Sequence, residues 1–165
     1  MSGVSLWARI AVGTAAAVGT VLVVPVPAPA PTRVGATAGV ASGAVLGLLL
    51  FVSVARRRPR TPRRAQLTVA QLCFLLGWAW VEEVLWRRLL LGGLAAVAGV
   101  AVGFLTATVL FALAHPQGRP TQILTGTIFG AAYLGTGRLS AAVASHAVYN
   151  LLVAGSRSPA PAGAT

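Results

Sequence analysis

The chain has 165 residues, of which 56% are hydrophobic and 9% charged, with a mean hydropathy of +0.82 and a formal net charge of +11. A soluble domain carries roughly 25% charged residues, so this composition excludes a mainly water-solvated surface and makes lipid the expected solvent. The single cysteine, Cys73, excludes an intramolecular disulfide, and its apolar surroundings predict a packing role.

A helix needs about 20 mostly apolar residues to cross the hydrocarbon core. Six apolar runs come close in this sequence: 10–32, 34–55, 65–81, 94–114, 121–137 and 139–156. They predict an all-α, polytopic integral membrane protein of about six transmembrane helices. The same runs could be core helices of a soluble protein, but six of them in 165 residues leave no polar surface. The first run, with Arg9 before its apolar stretch, also fits a signal peptide. The proline tract at 25–31 makes a poor cleavage region, so a retained signal anchor is expected, followed by an extended, polyproline-like loop. All 13 basic residues are arginine, and six of them fall in the loop 56–64. The positive-inside rule places that loop in the cytoplasm, with both termini on the same side of the cell membrane. The charge then serves topology and contact with anionic headgroups of the bilayer. Basic runs also bind nucleic acid, but this loop has no aromatics and a span on each side, so no nucleic-acid partner is expected. The expected organisation is an N-terminal helix pair with the basic loop (1–64), a four-helix core (65–155) and a disordered tail (156–165).

Ionisable groups inside a bilayer cost several kcal/mol unless paired or hydrated, and mark function by default. The two acidic residues, Glu82 and Glu83, are adjacent within an apolar segment, and the two histidines, His115 and His146, lie within or at the end of others. Neighbours on a helix point about 100° apart. Glu83 shares a face with Arg87, one turn on, while Glu82 lies on the face of Leu85 and Trp86. One carboxylate is then held by an arginine and the other is free to act as a general base. The competing reading is structural: Glu83 paired with Arg87, and Glu82 with Arg88 or a headgroup. His146 and Asn150 are four apart and share a face, so both can donate hydrogen bonds toward one point, as a developing oxyanion requires. They could equally form an interhelical bond that holds a bundle together. Of the two possible hairpin turns, at Gly92-Gly93 or near Gly99, the later one brings the Glu pair and His115 to similar depth. Gly126 and Gly130, with Ala131, form a stripe of small residues that permits close helix contact.

The segments Glu82-Glu83-Val-Leu-Trp-Arg87, Phe111-Ala-Leu-Ala-His115 and His146-Ala-Val-Tyr-Asn150 match the motifs EExxxR, FxxxH and HxxxN. In this the chain resembles the CAAX protease and bacteriocin-processing (CPBP, or ABI) family, which includes the type II CAAX prenyl endopeptidases. The stretch 126–139 also resembles that family's penultimate helix and turn, and the likeness covers roughly residues 66 to 155. The resemblance implies a glutamate-dependent intramembrane endopeptidase with no metal and no other cofactor. Glu82, helped by His115, would activate a water molecule; His146 and Asn150 would stabilise the oxyanion; Glu83 and Arg87 would form a supporting pair. The substrate would be a membrane-associated protein or peptide, and the family name alone does not imply a prenylated one. Arginine-only basic usage with abundant Ala, Gly and Val suggests a GC-rich bacterial gene. The chain departs from the pattern in being short for the eukaryotic relatives, and in carrying Arg138 where a small residue often follows Thr-Gly. The first two helices carry no family signature, and substrate gating or partner contact is the expected role for them.

Other chemistries use the same residues. Two Glu and two His could ligate zinc in a metal-dependent hydrolase, although the HExxH spacing is missing. The chain could also be a non-catalytic scaffold or a bacteriocin-immunity partner, against which an intact set of motif residues argues. An acyl transferase would need a nucleophile; Ser145 adjoins His146 but points about 100° away on the helix.

Overall fold

The computed structural model describes residues 3–55, 67–115 and 118–156, and every regular element among them is helical. Six helices follow in order: α1 (Gly3–Val23), α2 (Ala36–Ala55), α3 (Val69–Ala98), α4 (Val100–Ala114), α5 (Arg119–Thr136) and α6 (Leu139–Gly155). The arginine-rich loop 56–64 and the tail beyond Ser156 lie outside the described residues. Two helices are long and apolar enough to cross a membrane: α2 over Ala36–Val54, with mean hydropathy 2.0, and α3, with 1.3. Only 28% and 22% of their apolar windows are buried inside the molecule, whereas a soluble core helix would bury most of such a surface. Trp7–Val23, Val100–Ala114 and Leu139–Gly155 are apolar but shorter. Among the described residues, length and hydropathy thus mark two helices as spanning-grade.

Helix boundaries follow local chemistry. A capping box opens α3: the Thr68 hydroxyl accepts from the Gln71 backbone N–H at 3.3 Å, and the Gln71 side-chain carbonyl accepts from the Thr68 N–H at 2.9 Å. The helix does not stop at the Glu pair, as the apolar run 65–81 suggests. It continues through a π-helical stretch, Val84–Leu91, and ends at Ala98. The run 94–114 is accordingly split, because Gly99 adopts φ 85° and ψ 157°, a conformation open essentially to glycine alone. The hairpin thus turns at the later of the two expected places, and the Glu pair faces His115 across it. Helix α1 starts before residue 10 and stops at Val23, two residues ahead of Pro25, since proline can neither donate to a helix nor let its predecessor stay helical.

The linker between α1 and α2 is docked along its length. Val26 and Pro27 lie over Gly92 of α3. The Arg33 N–H donates to the Thr136 carbonyl at 2.9 Å, and Arg138 Nε donates to the Val34 carbonyl. Gly137, at φ 67°, sits where a Cβ would strike the Pro31 carbonyl. Arg138, the departure noted in the sequence, therefore ties the linker to the α5–α6 turn. These contacts also place the C-terminal part of α3 and the α5–α6 turn at one end of the bundle.

Helix α2 packs most intimately on α6. A Cβ at Gly43 would collide with the Ala141 carbonyl, and one at Gly47 with the Ser145 carbonyl, so the two backbones touch through a small-residue stripe. Leu50 continues this seam into a buried cluster with Phe129, Tyr133, Ala142 and Tyr149. On α5, Gly126 and Gly130 receive Phe111 and Phe104. Ala131 does not join them; it is exposed, and Ala132 is buried instead, because residue 131 is rotated about 100° off the stripe. Cys73, expected to pack, is exposed on α3.

Candidate active site

The residues singled out in the sequence converge on one cavity of about 190 Å³, lined among others by Trp78, Glu82, His115, His146 and Asn150. Helix α3 supplies both glutamates, which part company as their spacing requires. Glu83 is completely buried, with Arg87 beside it, also completely buried. Glu83 Oε2 lies 3.1 Å from Arg87 Nε, close enough for an ion pair though not aligned as a hydrogen bond. The guanidinium also sits 5.1 Å above the Phe111 ring, a cation–π contact in a dry environment. Glu82 instead faces the cavity, with its side chain 15% exposed.

Helix α4 ends at His115. Its Nδ1–H donates to the Phe111 carbonyl at 2.8 Å, which directs Nε2 at Glu82 Oε1, 3.8 Å away. That gap exceeds a direct hydrogen bond, so both atoms can engage a third polar atom between them. Helix α6 carries His146 and Asn150. Nδ1 of His146 lies 2.8 Å from Glu83 Oε1, and Nε2 lies 3.6 Å from Glu82 Oε2. Phe129 stacks on the imidazole at 4.5 Å and fixes its plane. The Asn150 side chain faces the same cavity and has no hydrogen-bond partner among the described residues. The structure therefore brings Glu82, His115, His146 and Asn150 together, with Glu83 and Arg87 behind them. Among the described residues, no group of three or more His, Cys, Asp or Glu side chains is spaced to hold a metal ion. Ser145 stays out of the cavity, buried against α2 with its hydroxyl unbonded.

This chain matches the family model for type II CAAX prenyl endopeptidase Rce1-like proteins over residues 64–152, more than half of its length. The chain belongs to this family. Comparison with curated proteins and with solved structures returns no match. The Rce1-like family is membrane-embedded and proteolytic, a setting with which the two spanning-grade helices agree. The matched residues hold all three motifs and end before the C-terminus of α6; α1, α2 and their linker lie outside them.

Three features of this Rce1-like site escape a motif reading. Trp78 donates its indole N–H to Glu82 Oε1 at 2.6 Å; the sequence reading set Glu82 against Trp86, one turn the other way. Trp86 meets Phe111 edge-on instead, at 5.5 Å. The i, i−4 spacing of Trp78 from Glu82 was a usable signal. The bond between His146 and Glu83 joins helices far apart in sequence and has no local signal. Gln122 and Thr125 of α5 also line the cavity, bonded to each other at 3.1 Å; their only mark is polarity within an apolar run.

Proposed function

We propose that this protein is an intramembrane endopeptidase that hydrolyses a peptide bond in a membrane-associated protein or peptide, using a water molecule activated by Glu82 and His115. The observation that supports this reading is the convergence of Glu82, His115, His146 and Asn150, from three helices, on a single cavity. The His115 tautomer follows from its environment. With Nδ1–H committed to the Phe111 carbonyl, the neutral ring presents the lone pair of Nε2 to the water. Glu82 removes a proton from that water, and the hydroxide oxygen adds to the carbonyl carbon. Charge then builds on the former carbonyl oxygen, where His146 and Asn150 donate hydrogen bonds. His146 would donate from Nε2, the ring nitrogen that faces the cavity, while Nδ1 is held by Glu83. Collapse of the intermediate breaks the C–N bond, and Glu82 returns its proton to the leaving nitrogen. The products are a carboxylate and an amine.

The same reading takes all six helices as membrane segments, with the 56–64 loop, both termini and the His115 end of the bundle in the cytoplasm. The linker contacts at Gly92 and Gly137, both at the opposite end, fit that alternation, and the arginine loop sets its sense next to anionic headgroups. The test is a side-by-side measurement of thermal stability, affinity for an uncleavable substrate analogue and single-turnover cleavage for Asn150→Ala and His146→Ala. A loss of rate of about 10²–10³ with nearly unchanged analogue binding is expected for a lost oxyanion donor. A proportionate loss of stability and binding, with no selective rate defect, would mean the pair only joins helices.

A further inference from the structure

We infer that Trp78 is the positioning residue for the Glu82 carboxylate, and that α1 holds it there by packing its backbone at Gly13 against the indole. The inference rests on the reading of Glu82 as general base and assigns to the first helix a role in the site itself.

The indole N–H is a donor only, so at 2.6 Å the sense of the bond is fixed: Trp78 Nε1 donates to Glu82 Oε1. Carboxylate bonds of this kind are short and are among the stronger ones. The contact determines where the two oxygens point. With Oε1 drawn toward the indole, its other lone pair faces His115 Nε2 at 3.8 Å, and Oε2 faces His146 Nε2 at 3.6 Å. Glu82 has no ion pair with any arginine among the described residues, and it is the less buried of the two glutamates. Without the indole its nearest polar partners are the two imidazole nitrogens, at 3.6 and 3.8 Å, beyond direct hydrogen-bond distance. The indole in turn is held on two sides. Phe74, one turn earlier, stacks on it at 5.7 Å with the planes 10° apart. On the other helix, a Cβ at Gly13 would stand 3.0 Å from Cζ3 of Trp78 and 3.3 Å from Cγ1 of Val81. A methyl group at residue 13 would be tight, and the indole or Val81 would have to give by a few tenths of an ångström to admit it. One turn on, fully buried Ala17 packs with Val81 and Val84, a second contact that holds α1 against α3. Helix α1 lies outside the residues that match the family.

The prediction concerns geometry and turnover together. The protein, labelled with 15N-tryptophan in detergent micelles, shows one indole N–H resonance for each of its four tryptophans. Trp78→Phe identifies its own resonance by loss, expected well downfield of the others. Glu82→Gln, which leaves a weaker acceptor, is expected to move that resonance upfield, as is Gly13→Val, with Gly13→Ala moving it less. Gly19→Ala, at a position with open space around it, is the control and should not move it. The same variants are compared in cells for the membrane-protein cleavage products that vanish in Glu82→Gln. Trp78→Phe, which keeps an aromatic ring but loses the N–H and part of the indole's bulk, and Gly13→Val should each slow their formation about 10-fold or more, at least the size expected for one lost hydrogen bond to a charged group. An indole resonance indifferent to Glu82→Gln or to Gly13→Val would overturn the inference, as would full product formation in Trp78→Phe alongside none in Glu82→Gln. If Glu82→Gln itself removes no product, the general-base reading fails instead, and the resonances still decide whether the contact chain exists.

Discussion

His146 is addressed by both adjacent glutamates: its Nδ1 lies 2.8 Å from Glu83 Oε1 and its Nε2 lies 3.6 Å from Glu82 Oε2. The roughly 100° between neighbouring helix positions lets one residue hold the ring from the dry side while the other meets it in the cavity. Glu83 is thereby shared between Arg87 and His146, and the supporting pair becomes a buried triad.

That sharing predicts unequal consequences for the two glutamates. Glu83→Gln and Arg87→Ala each strand a charge in low dielectric, which costs about 3–5 kcal/mol when a buried pair is broken. Both variants should lose yield and melt at lower temperature in detergent. Glu82→Gln, facing the cavity, should melt close to wild type. Thermal melts of the three purified variants check this, and equal destabilisation by Glu82→Gln would contradict it.

Much of this was legible in the sequence, and the limits have physical causes. Motif residues spaced by one helical turn declare shared faces, so Glu83 with Arg87 and His146 with Asn150 were readable directly. The turn at Gly99 followed from the symmetric placement of Glu82 and His115 about it. The π-helical stretch Val84–Leu91 was not readable, because apolar periodicity was judged on an ordinary helix. Nor was the pairing of His146 with Glu83, which depends on how α6 docks on α3. The close packing of α2 on α6 has a signal in the sequence, Gly39, Gly43 and Gly47 in i, i+4 order, of the same kind as Gly126 and Gly130 on α5. The stop of α1 ahead of Pro25 was readable as well, because the proline tract at 25–31 predicts an extended loop rather than more helix.

The α2–α6 seam supports the helix that carries His146 and Asn150. Gly47→Val puts methyl groups into the Ser145 carbonyl. Overpacking of this kind costs about 1–3 kcal/mol or more. The variant should melt lower and lose cleavage activity with it, while Gly35→Ala, which meets open space, should do neither. A Gly47→Val protein with wild-type melting would show that the helices do not meet this closely.

Activity in detergent is expected to survive dialysis against a strong chelator. The cavity offers one carboxylate and two imidazoles, but no group of three or more His, Cys, Asp or Glu side chains among the described residues is spaced to hold a metal ion. Loss of cleavage on chelation, restored by zinc, would favour a metal-dependent hydrolase.

Orientation is tested with a single thiol. In a Cys73-free background, Pro62→Cys places a cysteine in the arginine loop. A membrane-impermeant maleimide should label it only after the cells are opened. Labelling from outside intact cells would reverse the topology and place the His115 end of the bundle outside.

The central claim is that Glu82 is the base of a peptide-bond hydrolysis. The most direct measurement compares the membrane proteomes of cells carrying the wild-type protein and Glu82→Gln at equal expression, looking for new termini and released peptides. The substitution keeps shape and removes the base, so cleavage should fall by about 10²-fold or more, and a discrete set of termini should vanish while the protein itself accumulates normally. Identical termini in the two samples, with both proteins folded and abundant, would contradict the account and leave the chain a family member that acts without cutting.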